Sequence, residues 1–359
     1  MTSAQTWPEM LDSLLRGEDM SVRQATWAME EVMSGNVSDA RLAAWLIALR
    51  AKGETVEEVI GFRDAVLAKA VPTNLPAWGV DIVGTGGDMV GTVNVSTMAS
   101  FVIAATGTPV LKHGGRAASA KSGASDVLTA LGAVHSTDAA ALEHIFAETG
   151  QAFLYASLFH PGFAHAGGVR KDLGVPTVFN SLGPLSNPTR AEASAVGVAR
   201  RESIPVIVGV FRTRGAAALV FRGDDGLDEL TVTGYSHIWE ISGGDVAEHD
   251  IHPRDVGLGT YDLEDLLGGT PELNAQIARE TLRGERTGAV RDIVLLNAAA
   301  GLVSWDLAKQ PDSIERPIRD RLGEKIAVAA EAIDSGRAIE QLDKFVAASQ
   351  KFNTEAPVR

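Results

Sequence analysis

Twice between Val80 and Gly132 a short apolar run ends in a glycine-rich turn followed by a polar helix start. The first run, Val80-Asp81-Ile82-Val83, leads into Gly84-Thr85-Gly86-Gly87-Asp88, and Asn94-Val95-Ser96-Thr97 then opens an apolar helical pattern. The second, Thr108-Pro109-Val110-Leu111, leads into Lys112-His113-Gly114-Gly115-Arg116 and a polar run from Ser119 to Asp126. Short β-branched runs alternating with helices specify a parallel α/β sheet, which gathers ligand-binding loops at the ends of its strands. The repetition marks a site, and the rest of the chain is read as its support.

The pattern from Val80 onward predicts strands at Val80–Val83, Val110–Lys112, Phe153–Tyr155, Thr177–Asn180, Ala195–Val198 and Ala218–Phe221. Glu229–Thr233 and Ile238–Ile241 read as antiparallel, with Gly243-Gly244 as the turn before Glu248–Ile251. Helices are expected between the strands and again after Leu263. The first seventy or so residues show helical periodicity only. Ser21 with Gln24 and Thr55 with Glu58 have the spacing of capping boxes, and Thr6 and Ser38 stand where further helices begin. Four such helices make a poor core alone and must pack on something else; core packing is the simpler reading of Trp45 than a subunit contact. The expected class is α/β, with a small N-terminal helical domain over 1–73 and a large domain over 74–359 built on a mostly parallel central sheet.

Net charge narrows the ligand. The chain of 359 residues carries 32 Lys and Arg against 46 Asp and Glu, a net charge of −14, which disfavours nucleic acid as a partner. A small anion is still bound easily through backbone N–H groups and a few cations. Zero cysteines remove thiolate chemistry and disulfides. Neither a membrane span nor a secretory leader is legible, so a cytoplasmic protein is expected.

The first glycine turn lacks the third glycine of a dinucleotide fingerprint and the Lys-Ser/Thr of a P-loop. What it offers is backbone N–H groups free of side chains, with Ser96 and Thr97 at a helix start that favours phosphate; a plain strand–helix turn with one of them as N-cap reads as well. The second loop favours a site: Lys112, His113, Arg116, Lys121, Ser122 and Gly123 add cations and donors. A third station, Asp224-Asp225 and Asp228-Glu229, follows a predicted strand; facing a polyphosphate it would need a hard cation such as Mg²⁺, and otherwise it is a solvated turn.

Taken together these motifs resemble those of the anthranilate phosphoribosyltransferases. The resemblance includes Ser122-Gly123 with Asp126-Val127-Leu128, Val169-Arg170-Lys171 with Leu173-Gly174, Phe179-Asn180 with Leu182-Gly183-Pro184-Leu185, and Asp225-Gly226-Leu227-Asp228-Glu229-Leu230. It covers nearly the whole chain. The resemblance implies transfer of a phosphoribosyl group from phosphoribosyl pyrophosphate to anthranilate, a step of tryptophan biosynthesis, in a homodimer, with helices around 163–188 joining the small domain. It also implies a donor site at Gly84, Gly86, Gly87, Asp88, Thr92, Asn94, Ser96, Thr97, Lys112, Ser119, Lys121, Ser122 and Gly123. Mg²⁺ would meet Ser96, Asp228 and Glu229. The acceptor would meet His113, Gly115, His160, Arg170 and Gly183, and no side chain acts as a covalent nucleophile.

The chain departs from the family pattern where the acceptor would bind. Gly115 replaces an asparagine, Met89 stands in place of a glycine, and Ala164 replaces a commonly basic residue. Two alternatives therefore stay open: a related transferase using another aromatic amine acid, and a non-catalytic paralogue that binds nucleic acid or a protein.

Overall fold

The computed structural model describes residues 6–116 and 121–352. Its N-terminal helices are α1 (Trp7–Leu15), α2 (Val22–Met33), α3 (Asp39–Lys52) and α4 (Val56–Ala68). The capping boxes expected at Ser21 and Thr55 are closed, each side chain accepting the backbone N–H three residues on. Thr6 and Ser38 flank their helices without a side-chain cap; the Thr6 hydroxyl donates instead to Glu9 Oε2 at 2.7 Å. Trp45 is fully buried between Trp7 and Phe62, both met edge-on with ring centroids at 6.0 and 5.3 Å. Its surface is thus used inside the chain, as the core reading expected.

The α/β part runs β1 (Val80–Gly84), α5 (Val95–Ala105), β2 (Val110–Gly114), α6 (Ala124–Ala130), α7 (Ala139–Thr149), β3 (Gln151–Tyr155) and α8 (Ala156–Phe159). It continues with α9 (Ala164–Leu173), α10 (Phe179–Leu185), β4 (Ala193–Gly197), α11 (Ile204–Arg214), β5 (Ala217–Gly223), β6 (Ser236–Ser242) and β7 (Asp245–Ile251). Four helices close it: α12 (Pro271–Leu282), α13 (Ala289–Lys309), α14 (Ile318–Asp334) and α15 (Arg337–Gln350). The strands form one seven-stranded sheet in the order β3-β2-β1-β4-β5-β6-β7, parallel through β5 and antiparallel beyond it.

Alternation along the strands separates two cores, because successive side chains point to opposite faces. Ile82, Ala195 and Leu219 face a core shared with α5 and α12–α15. Their neighbours Val83, Val196 and Val220 face a second core formed with α1–α4 and α9–α11. The N-terminal helices therefore gain the partner surface they need by covering one face of the sheet. Helix α9 packs on α2 and α3, and α10 on α4. Among the described residues no helix is long and apolar enough to cross a membrane.

Two expected strands do not form. Thr177–Asn180 is the turn into α10: Asn180 Oδ1 accepts the Thr177 N–H at 3.0 Å, and the segment lies against α4 rather than in the sheet. That local side-chain bond outcompetes the β preference of Thr177 and Val178. Glu229–Thr233 is irregular because side chains take its ladder bonds. Asn297, buried on α13, holds both the N–H and C=O of Leu230 at 3.0 and 2.9 Å, and Ser236 Oγ accepts the Thr231 N–H at 2.8 Å.

Candidate active site

Strand β1 lies between β2 and β4, so chain direction across the sheet reverses there, and an open α/β sheet forms its binding crevice at such a point. The loop after β5 reaches back over it. Gly84 on β1 and Gly197 on β4 are paired across the ladder. A Cβ on Gly84 would stand 2.1 Å from Asp228 Oδ2, and one on Gly197 1.7 Å from the Asp228 carbonyl oxygen. Two facing glycines thus make the hollow into which Asp228 folds. Gly86, at φ +67°, then turns its N–H onto Asp228 Oδ2 at 2.6 Å.

The result is a concentrated set of acids. Asp228 is buried, and its carboxyl is pushed up to about 7 by desolvation and then by the adjacent Asp88 charge. Glu229 is raised well above the carboxylate range by burial and by Asp228, although it also accepts the Ser96 backbone N–H. Burial raises Asp88 too. The balancing cation is Lys112, whose ammonium donates to the Ile82 carbonyl and, at 3.2 Å, to Ser96 Oγ. Burial lowers its pKa, while Asp81, Glu229 and Asp228 hold it up. Lys112 thus sits inside the acid cluster and steadies Ser96, a place in the structure different from direct phosphate neutralisation. The carboxylates of Asp228 and Glu229 beside the Ser96 hydroxyl are oxygen donors of the kind a hard divalent cation such as Mg²⁺ takes, although among the described residues no group of three or more His, Cys, Asp or Glu side chains is already gathered closely enough to hold one. Asp224 and Asp225 do not join it. Asp225 accepts from Thr231 and Thr233 at 2.5 and 2.7 Å, and Asp224 meets His237 at 2.9 Å.

The cleft over this cluster has a volume of about 340 Å³ and is walled by the loops after β1, β2 and β5 together with α9 and α10. Gly84, Gly86, Gly87, Thr92, Asn94, Ser96, Thr97, Lys112, Ser122 and Gly123 all line it. Asn94 ties the two loops together, donating to the Ser122 carbonyl at 3.2 Å and accepting from Asn274 at 2.8 Å. The hydroxyls of Thr97 and Ser122 are buried with no partner among the described residues, a cost that a bound polar ligand would remove. Lys121 is exposed and not in the wall, and Ser119 lies outside the described residues.

The same cleft is lined by Gly115, His113, Gly183 and Arg170. His113 Nδ1 lies 3.0 Å from the Gly183 carbonyl, which only accepts, so Nδ1 carries the proton and Nε2 is left as a buried acceptor with no partner. Burial, with help from His160 and Lys112, depresses His113 to about 3, so the ring is neutral at ordinary pH. His160 is fully buried behind this wall, its ring edge-on to His113 at 5.2 Å and its Nε2 2.9 Å from the Ser186 carbonyl. It supports His113 and does not reach the cleft. Arg170, in the last turn of α9, places its guanidinium over the Phe179 ring at 5.1 Å and has no carboxylate partner among the described residues. Asn180 and Phe163 also line the cleft, which residue-by-residue reading missed. Asn180 stands in a motif, but it was read there as strand.

The comparisons now bear on this geometry. A model described as glycosyl transferase family, a/b domain matches residues 77–339, and one described as glycosyl transferase family, helical bundle domain matches 8–70. An anthranilate phosphoribosyltransferase of Leifsonia xyli subsp. xyli is 58% identical across 98% of this chain and 100% of its own. The chain belongs to the anthranilate phosphoribosyltransferase family. Another member, from Clavibacter michiganensis subsp. michiganensis, is 53% identical over 98% of this chain and 100% of its own. The solved enzyme of Thermus thermophilus superposes with a TM-score of 0.85 at 37% identity, covering 95% of this chain and 99% of that one. The Saccharomyces cerevisiae enzyme, solved in complex with phosphoribosyl pyrophosphate and Mg, gives 0.85 at 28% identity, covering 96% and 98%.

Two departures from the family pattern acquire a physical meaning. Met89 has φ +62°, a left-handed conformation that glycine adopts freely and a side chain resists, so the usual glycine there answers to the backbone. At Gly115 the backbone is ordinary, and a Cβ would meet only Ala156 Cβ at 3.5 Å. The first atom of a side chain is therefore accommodated at Gly115 in ordinary van der Waals contact.

Proposed function

We propose that this chain transfers the phosphoribosyl group of phosphoribosyl pyrophosphate to the amine of anthranilate, releasing pyrophosphate and N-(5-phosphoribosyl)anthranilate. The observation that carries the reading is Arg170: a half-buried cation without an anionic partner among the described residues, in the same cleft as a buried carboxylate cluster. Such a cation calls for an acid on the acceptor, and the carboxylates call for a metal-bound polyphosphate on the donor. The yeast relative, solved also with 4-fluoroanthranilate, is bound to both kinds of ligand in its own structures.

In this reading the glycine turn and the start of α5 hold the donor phosphates through backbone N–H groups, with Ser122 and Thr97 adding hydroxyls. Asp228, Glu229 and Ser96 would hold Mg²⁺, which when bound would neutralise charge building on the departing pyrophosphate. Arg170 orients the acceptor by its carboxylate, and neutral His113 offers Nε2 as an acceptor at the same wall. The amine nitrogen attacks C1 of the ribose as the pyrophosphate oxygen leaves, so positioning rather than a covalent nucleophile lowers the barrier. The helical unit over 1–73, joined by α9 and α10, would move against the α/β unit over 74–359 to close the cleft and exclude water. Leu15, Val22 and Ile47, exposed on α1–α3, would be covered in a homodimer, and a monomeric mass in solution would remove that element. A small-molecule reaction of this kind, in a chain without cysteine, suits the cytoplasm.

Loss of anthranilate fluorescence on mixing with phosphoribosyl pyrophosphate and Mg²⁺ is the direct test. Turnover only with a substituted analogue would transfer the assignment to another aromatic amine acid. Arg170→Ala should raise the acceptor KM by about 10- to 100-fold, as expected for one charge-assisted contact, and leave the donor KM nearly unchanged. An unaltered acceptor KM would take Arg170 out of the acceptor site. Gly115→Asn is expected to raise kcat/KM for anthranilate several-fold, about what one added hydrogen bond supplies. No gain would show that another donor already serves that position.

A further inference from the structure

At the other end of the sheet, where strands begin, Arg63, Arg190 and Arg214 line one cavity of about 190 Å³ together with Leu67, Leu185 and Asn187. Arg63 comes from α4, Arg190 precedes β4, and Arg214 ends α11 just before β5. A neighbouring hollow of about 320 Å³ shares Arg190 and Arg214. The cavity therefore lies at a junction between the helical segment and the sheet.

Its charge is poorly balanced. Arg63 pairs with Asp64 at 2.6 Å through Nη2, but its Nη1 is buried with no hydrogen-bond partner among the described residues. Arg214 lies over the Phe211 ring at 5.5 Å, and neither it nor Arg190 makes a side-chain ion pair or hydrogen bond among the described residues. Burial, then Arg63 and Arg190, push the Arg214 guanidinium down to about 10. Asp64 and Asp81 offset this only in part: Asp64 is engaged by Arg63, Asp81 is held by Asn187 at 2.8 Å and by the His113 N–H at 3.0 Å, and Glu192 in the neighbouring hollow is exposed. Arg63 and Arg214 are partly buried and Arg190 stands exposed at the mouth; like charges gathered at a partly buried cavity carry a cost that an anion would remove, and guanidinium forks match the oxygens of a phosphate group.

We propose that this cavity is a second ligand site, one that takes a phosphate-type oxyanion, free phosphate or a phosphomonoester, between Arg63, Arg190 and Arg214. A chain of hydrogen bonds runs from it toward the reaction cleft: Asn187 lines the cavity and holds Asp81, and Asp81 holds the backbone of His113.

Calorimetric titration of the full chain with inorganic phosphate, against sodium chloride of equal ionic strength, tests this. Arg190→Asn and Arg214→Gln should each weaken one phosphate-binding event at least tenfold. Arg190 sits at φ +55°, which asparagine tolerates, so that variant keeps its backbone. Both variants should melt no lower than the parent without phosphate, because a mutual repulsion is relieved, and the donor KM should not move. Glycerol 3-phosphate binding more tightly than phosphate assigns the site to phosphomonoesters, and equal or weaker binding assigns it to the free anion. No heat beyond the chloride control, or a phosphate isotherm unchanged in both variants, overturns the proposal. Lower melting in both variants with that isotherm intact overturns it also, assigning the arginines to packing.

Discussion

Asp228→Asn is expected to lower kcat/KM for phosphoribosyl pyrophosphate by about 10²- to 10³-fold while raising the melting temperature of the ligand-free protein. The substitution is nearly isosteric, and the amide oxygen can still accept the Gly86 N–H that Oδ2 accepts at 2.6 Å. What it removes is one negative charge from a buried group that already includes Glu229 and Asp88. Relieving that repulsion should add on the order of 1 kcal/mol to the free protein. The same charge is what a metal needs, so Mg²⁺ should stabilise the variant less than the parent. Differential scanning calorimetry with and without Mg²⁺, beside initial rates, reads both effects. A variant that melts lower and keeps its Mg²⁺ increment would refute this account of the cluster.

The acids also set a pH dependence. Asp228 titrates at about 7 in the folded chain and Asp81 at about 6, each above its ordinary value. A carboxyl raised by folding favours the folded state when protonated. Its contribution is therefore complete below the unfolded value and is lost as pH rises through the folded one. Without Mg²⁺ the protein should lose stability between roughly pH 4 and pH 7 on this account, and Asp228→Asn should flatten the upper part of that slope.

Lys112→Met should act in the opposite direction on stability. The ammonium is the buried cation among Asp81, Asp228 and Glu229, and its removal leaves those groups to desolvation alone. A loss of about 3 kcal/mol is expected where the carboxyls are ionised and the ammonium still charged; it shrinks toward pH 5 as the carboxyls take up protons, and again at strongly alkaline pH, where the lowered Lys112 gives up its own. Donor kcat/KM should fall by at least about 10²-fold, because Ser96 loses the contact that fixes its hydroxyl. Combining Lys112→Met with Asp228→Asn should recover part of the lost stability, since each change undoes part of the imbalance the other leaves; strict additivity in the double-mutant cycle would show that the two groups do not interact.

Much of this was legible without coordinates. The strand before and the helix after each glycine turn, the capping boxes at Ser21 and Thr55, and the cleft-lining residues between Gly84 and Thr97 follow from local rules: period, turn chemistry and helix starts. Reading failed where a distant side chain took over the backbone. Asn297 converts the β-like Leu230 segment into an irregular loop, and Asn180 turns Thr177 into a helix entrance. The acidic station was likewise read as one group, whereas Thr231, Thr233 and His237 draw Asp225 and Asp224 away from it.

The sequence by itself determined the parallel α/β pattern, the two glycine loops, and the family to which the motifs belong, because these depend on neighbours along the chain. Only the tertiary structure decided that Lys112 balances acids instead of facing solvent, that His160 stands behind His113, and that Arg170 has no carboxylate partner among the described residues. The physical reason is the same in each case. Charge state and exposure are set by which groups the fold brings within a few ångströms. The facing pair Gly84 and Gly197, more than a hundred residues apart in the chain, is what brings Asp228 there.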